Sequence, residues 1–148
     1  MRKLRTAVLT PLLALACFIL GSPAAHAFGT EVLGCAVDTA VWTANSCGGS
    51  DGALSMIHYS PQNLSGAYSK SWTVTGPGST AITGSCSTKA APCIYSGCTS
   101  SSITCDVQVR SGTIDKTFVA SLRLTQSGLT RTIQAQAVIY ATGCLKCQ

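Results

Sequence analysis

Residues 118–140 read FVASLRLTQSGLTRTIQAQAVIY, and their alternation decides the fold class. Phe118, Ala120, Leu122 and Leu124 alternate with Val119, Ser121, Arg123 and Thr125, the period-two pattern of a strand with one dry face. A turn over residues 126–130 passes through Gly128, and the pattern then resumes as Ile133, Ala135, Ala137 and Ile139 against Gln134, Gln136, Val138 and Tyr140. Two such runs joined by a glycine-bearing turn predict a β-hairpin with one face on a core and the other in water.

Working outward, residues 103–110 repeat the logic. Ile103, Cys105, Val107 and Val109 are expected to face one way and Thr104, Asp106, Gln108 and Arg110 the other, which points Cys105 into the core. Shorter strand candidates span residues 31–37, 40–44, 53–59, 68–75 and 81–86, separated by turn-rich stretches at 47–52, 60–66 and Gly76-Pro77-Gly78. No stretch of helical length carries an apolar stripe at helical spacing. The expectation is therefore an all-β chain: one small, disulfide-stabilised antiparallel β-sandwich over residues 28–148, built from seven or eight short strands. The layout is immunoglobulin-like without the immunoglobulin signature. That signature sets a core Cys, a Trp, and a Tyr two residues before a second Cys, whereas Trp42 and Trp72 are badly placed and Tyr95 precedes Cys98 by three.

The first 27 residues read differently. Arg2, Lys3 and Arg5 form a positive head, residues 7–20 are apolar apart from Thr10 and Pro11, and Ala25-His26-Ala27 offers small residues where a signal peptidase cuts. A secretory signal peptide cleaved near Ala27 is expected, releasing the chain to the periplasm or the exterior. The run is shorter than the roughly 20 residues of a spanning helix, and no later segment supplies a transmembrane stretch. Leu13-Ala14-Leu15-Ala16-Cys17 also fits a permissive lipoprotein box, but Phe18-Ile19-Leu20 continue the apolar segment where a lipoprotein begins a polar tether. A lipid anchor at Cys17 is accordingly not expected.

Three basic residues belong to that leader, so the net charge of +5 falls to +2 once it is set aside. The remaining Lys and Arg are scattered without a stripe or cluster, which removes the electrostatic footprint of a nucleic-acid or anionic-membrane binder.

Eight cysteines remain beyond residue 27: Cys35, Cys47, Cys86, Cys93, Cys98, Cys105, Cys144 and Cys147. An even number in a small exported chain argues for a disulfide framework. Four bridges at about 2–4 kcal/mol each would rival the whole net stability of an ordinary domain. The spacing from Cys86 to Cys105 is symmetric, so a simple fold-back predicts Cys86 with Cys105 and Cys93 with Cys98. By elimination Cys35 and Cys47 would pair with each other or with Cys144 and Cys147. The Cys144-Leu-Lys-Cys147 spacing also suits a metal half-site or redox pair, but no second CxxC or nearby His completes a zinc set. No metal and no cofactor is expected.

Candidate chemistry is sparse. His58 is the single histidine beyond the leader, and Asp51 or Asp38 could orient it toward a serine. No G-x-S-x-G elbow accompanies it, and Gly48-Gly49-Ser50-Asp51-Gly52 reads more simply as a polar turn, so no catalytic residue is assigned. The five acids form no paired-carboxylate or calcium-loop motif, and Asn63-Leu64-Ser65 is a sequon only for a eukaryotic secretory route. The excursion between Cys86 and Cys105 stands out instead, because a cross-linked loop loses less entropy on binding. Its Lys89, Ile94 and Tyr95 are the candidate binding residues. These features favour an exported, non-enzymatic interaction or structural module of a cell-surface or periplasmic assembly, with an unidentified protein or surface as partner. The alternatives are a small secreted hydrolase and a secreted protease inhibitor offering Lys89 to a trypsin-like enzyme.

Overall fold

The computed structural model describes residues 28–50, 52–86 and 91–142. The expected leader with Cys17, and also Asp51, Lys89, Cys144 and Cys147, lie outside the described residues. Nine strands are found among the rest: β1 (Val32–Val37), β2 (Thr43–Ala44), β3 (Ser46–Gly49), β4 (Leu54–Gln62), β5 (Ser69–Thr75), β6 (Cys93–Gly97), β7 (Cys105–Arg110), β8 (Lys116–Gln126) and β9 (Leu129–Ile139). They form a five-stranded sheet of order β2-β1-β4-β7-β6 and a four-stranded sheet of order β3-β9-β8-β5. Among the described residues, no helix is long and apolar enough to cross a membrane.

The alternation in the last hairpin translates directly into layers. Phe118, Ala120, Leu122 and Leu124 of β8, with Ile133, Ala135, Ala137 and Ile139 of β9, are buried against the first sheet. The first sheet answers with Leu33, Ile57, Tyr59, Val107 and Val109, none of them measurably exposed. Each large apolar side chain so buried contributes about 1.5–3 kcal/mol. The turn is tighter than the five residues expected. Pairing continues to Gln126 and Leu129, and Ser127 and Gly128 alone make the bend, at φ of 50° and 80°. Two successive left-handed residues give the turn whose twist matches the strands it joins.

Four local readings change. Residues 47–49 read as part of the 47–52 turn, yet together with Ser46 they form β3, which runs parallel to β9. The sequence signal is weak because Gly48 and Gly49 have low strand propensity, but their lack of a side chain is what seats them. A Cβ on Gly48 would stand 2.6 Å from the Tyr140 hydroxyl, and one on Gly49 would stand 3.2 Å from Val37 Cβ. Residues 40–44 shrink to the two-residue β2. Residues 81–86 make no strand, and their ladder pairing is limited to isolated bridges at Ala81 and Ser85. Ile103, expected inside, is 62% exposed because the strand begins only at Cys105 and residues 98–104 form the turn before it.

The cysteine pairing differs from the fold-back expectation. The bridges are Cys35–Cys47, Cys86–Cys93 and Cys98–Cys105, with Cα separations of 5.7, 5.0 and 4.3 Å. A fold-back would have placed a hairpin tip between Cys93 and Cys98, but that stretch is itself the extended strand β6. Five residues of strand span roughly 16 Å, beyond the Cα separation a disulfide bridges. The tip lies instead at residues 98–104, so Cys98 meets Cys105, while Ser85 lies beside Ile94 and delivers Cys86 to Cys93. Of the two options open for Cys35 and Cys47, mutual pairing is the one realised, and it joins β1 of one sheet to β3 of the other. Bridges of this kind persist in oxidising compartments.

Candidate functional site

The two flanks of the sandwich close differently. On one, β1 packs over β3 and β9, with the Cys35–Cys47 bridge between sheets. On the other, β5 and β6 are the outermost strands of their sheets, and among the described residues no strand joins them. Residues 80–86 cross this flank as a strap. The Ile82 amide donates to the Val74 carbonyl of β5 at 2.9 Å, and the Ile94 amide of β6 donates to the Gly84 carbonyl at 2.7 Å. Ile82 also turns its side chain into the core, where it is 8% exposed. The Cys86–Cys93 bridge fixes the far end of the strap.

The strap leaves a cleft of about 550 Å³ beside it, within the roughly 300–1,000 Å³ typical of small-molecule sites. Trp72, Thr73 and Val74 line the β5 side, Ile82, Thr83 and Ser85 the strap, and the run from Ile94 to Thr99 the β6 side. Among the described residues, no lining residue carries a charge. Trp72 faces inward with Val74, opposite Leu122 of β8, and its Nε1 donates to the Ser102 carbonyl at 3.3 Å, which ties the two sheets across the flank. A register shift between Ile94 and Ser96 makes Tyr95 the extra residue of a β-bulge. Bulges re-aim side chains, and here Tyr95 stands at the cleft rim, 60% exposed. The β6 wall is pinned at both ends, at Cys93 to the strap and just past Gly97 by Cys98 to Cys105. A smaller cleft of about 420 Å³ lies on the other side of the strap, against Gly76, Pro77 and Pro92.

Of the candidate binding residues, Ile94 and Tyr95 meet on one wall of this cleft, and Lys89 lies outside the described residues. Trp72 and the strap escaped the sequence reading. A tryptophan inside a strand pattern reads as packing, and only the pairing of β5 at a sheet edge reveals that its indole fronts a cleft.

His58 lies on the outer face of the first sheet, where the register sets it beside Asp106 and Asp106 beside Ser96. Its Nδ1 is 2.9 Å from Asp106 Oδ1, while Ser96 Oγ donates to the other carboxylate oxygen. The acid is thus the middle member and the hydroxyl is bound to carboxylate, not to imidazole. A serine nucleophile needs a base on its own hydroxyl, and this order does not provide one. Neither His58 nor Asp106 lines the flank clefts. Asp38, the other suggested partner, accepts from the Met56 amide at 2.7 Å instead.

The most buried charge among the described residues, Glu31, anchors the segment that leads into β1. The Glu31 carboxylate accepts from the Gly29 amide at 2.8 Å, the Tyr68 hydroxyl at 3.1 Å and Arg131 at 3.1 Å. Arg131 also donates to the Gly29 carbonyl, and the Phe28 ring stacks on Tyr68. Its pKa is held below the usual carboxylate value, chiefly by its own main-chain amide. Burial opposes this, and the Gly29 amide, the Tyr68 hydroxyl and Arg131 reinforce it. Burial pushes the Tyr59 phenol upward, and its hydroxyl reaches the Phe118 carbonyl at 3.4 Å inside the core.

The described residues contain no cluster of three or more His, Cys, Asp or Glu side chains fit to hold a metal ion. The chain matches no protein-family model and no curated protein sequence.

Proposed function

We propose that this chain is an exported, non-enzymatic interaction module that engages its partner through the cleft between β5 and β6, as part of a periplasmic or cell-surface assembly. One observation supports it above the others. The flank cleft is lined by uncharged residues among those described and fronted by Trp72 and Tyr95, and its walls are held by two disulfides and the Trp72–Ser102 hydrogen bond. Preformed walls reduce the ordering cost of binding, and partly wet aromatics are the residues that dominate recognition. A hydrolase draws less support, because Asp106 separates Ser96 from His58. The inhibitor alternative rests on Lys89, a residue outside the described part of the chain.

The test is a pull-down from the native extracellular or periplasmic fraction, with the oxidised wild-type chain and its Tyr95→Ala variant as baits. Recovery of a protein or polymer by the wild type, and its loss with the variant, is the expected result. Equal recovery by both baits would place the contact elsewhere, and recovery by neither would count against the module itself.

A further inference from the structure

We infer that the flank cleft takes a neutral glycan, stacked on Trp72 and Tyr95 and hydrogen-bonded by the hydroxyls between them. The inference rests on the interaction-module reading and names its ligand class.

The chemistry of the walls narrows the ligand. Among the described residues, nothing lining the cleft is cationic or anionic, so none of them compensates the desolvation of a charged ligand. The polar lining is largely hydroxyl: Thr73, Thr83 and the Tyr95 phenol can each donate as well as accept, while the Thr99 hydroxyl is bound to Ser101 and Ser102. A pyranose presents the matching pair of surfaces, an apolar face of C–H bonds for an aromatic ring and a rim of hydroxyls for other hydroxyls. The cleft is open along the flank, which suits an internal stretch of a chain polymer as well as an end.

An extended peptide adding to a sheet edge is the competing occupant, and the edges bordering the cleft argue against it. The main-chain groups such a peptide would use are partly taken, the Val74 carbonyl by Ile82 and the Ile94 amide by Gly84. Further along β5, Lys70 pairs with Leu124 and shares the inward face with Trp72. A charge pointing inward on an edge strand is a device that discourages strand addition. The edges next to the cleft are blunted, while the aromatic and hydroxyl surface between them is open.

The experiment titrates the disulfide-bonded chain with four neutral hexasaccharides: β-1,4-linked glucose, xylose and N-acetylglucosamine, and α-1,4-linked glucose. Calorimetry and tryptophan emission are the readouts, and the chain has only two tryptophans, Trp42 and Trp72. The expected result is saturable binding of at least one hexasaccharide with an emission change that persists in Trp42→Phe. Loss of one stacking ring in Tyr95→Ala should weaken it about tenfold. Tyr95 is exposed enough that this variant keeps its fold, whereas Trp72→Ala is read only where its circular dichroism matches the wild type. Failure of all four sugars, or binding indifferent to Tyr95→Ala, overturns the inference. If no sugar binds but the pull-down recovers a protein that depends on Tyr95, the glycan is wrong and the module stands. If sugar and pull-down both fail, both readings fall.

Discussion

Gly97 adopts a φ of 73°, and a Cβ built there would lie 2.2 Å from the Thr104 carbonyl oxygen across the β6–β7 turn. Because that neighbour is backbone, the clash cannot be relieved by a side chain moving away. Gly97→Ala should therefore cost about 3 kcal/mol, read as a fall in the urea midpoint of the oxidised protein. Gly128 has a similar φ of 80° with nothing within 4 Å of its missing Cβ. Gly128→Ala should lose only about 1 kcal/mol. Glu31 gives a second test at this scale. Its folded pKa is depressed below 4.5, so the stability it adds is fully present above the unfolded value and is lost as pH falls through the folded one. Glu31→Gln should cost about 1.5–3 kcal/mol at neutral pH and flatten the acid limb of stability below about pH 4.5. Stability in Glu31→Gln that kept the wild-type acid slope would refute this assignment. None of these environments is legible in the sequence, because Glu31 meets Arg131 and Gly97 meets Thr104 only through tertiary pairing. Ile94 and Tyr95 were legible as candidates because a cysteine-rich excursion marks them. The bulge that aims Tyr95 was not, since it arises from the register of β6 on β7.

At the scale of elements, the strap is a short segment whose tie to the fold is unusually testable. Its hold on β5 and β6 comes from two main-chain hydrogen bonds, the Ile82 side chain and the Cys86–Cys93 bridge. Closing a loop of this length stabilises by about 2–3 kcal/mol on the loop-entropy account. The double variant Cys86→Ser with Cys93→Ser should lose that amount. It should also lose hydrogen-exchange protection at the Ile82 and Ile94 amides while leaving the β8–β9 amides protected, since local opening follows the weakest cooperative unit. Protection lost equally throughout would mean the strap is not a separate unit. The long strands were legible because apolar residues alternate unbroken over 118–124 and 133–139, the buried stretches of β8 and β9. The strap was misread as a strand and β3 as a turn for complementary reasons. Residues 81–86 carry strand-forming side chains but find no continuous partner, while β3 carries two glycines and is held in place by its parallel neighbour β9 and the Cys35 bridge.

Across the whole molecule, the two flanks are closed in different ways. The β1–β3 flank is closed by packing and a sheet-to-sheet disulfide, and the β5–β6 flank is held open at a fixed width by the strap and by Trp72 reaching Ser102. Fourteen buried Val, Leu, Ile, Phe and Tyr side chains form the interior, a modest core for two sheets of nine strands among the described residues. The bridges consequently carry an unusual share of the stability. On the loop-entropy account the three described disulfides contribute about 8 kcal/mol, against a net stability of about 5–15 kcal/mol for an ordinary domain. Reduction should therefore do more than loosen one region. A thermal melt followed by circular dichroism should be cooperative when oxidised, and it should shift down by tens of degrees or vanish in excess dithiothreitol. For a domain of this size each kcal/mol moves the midpoint by roughly 2–8 °C. Disulfide bridges confer this stability by restricting the unfolded chain, so the reduced protein should keep the same strand signature at low temperature in a stabilising osmolyte such as trimethylamine N-oxide. A reduced chain that melted at the oxidised midpoint would show that the core alone suffices, and the dependence of the cleft's fixed walls on sulfur would have to be given up.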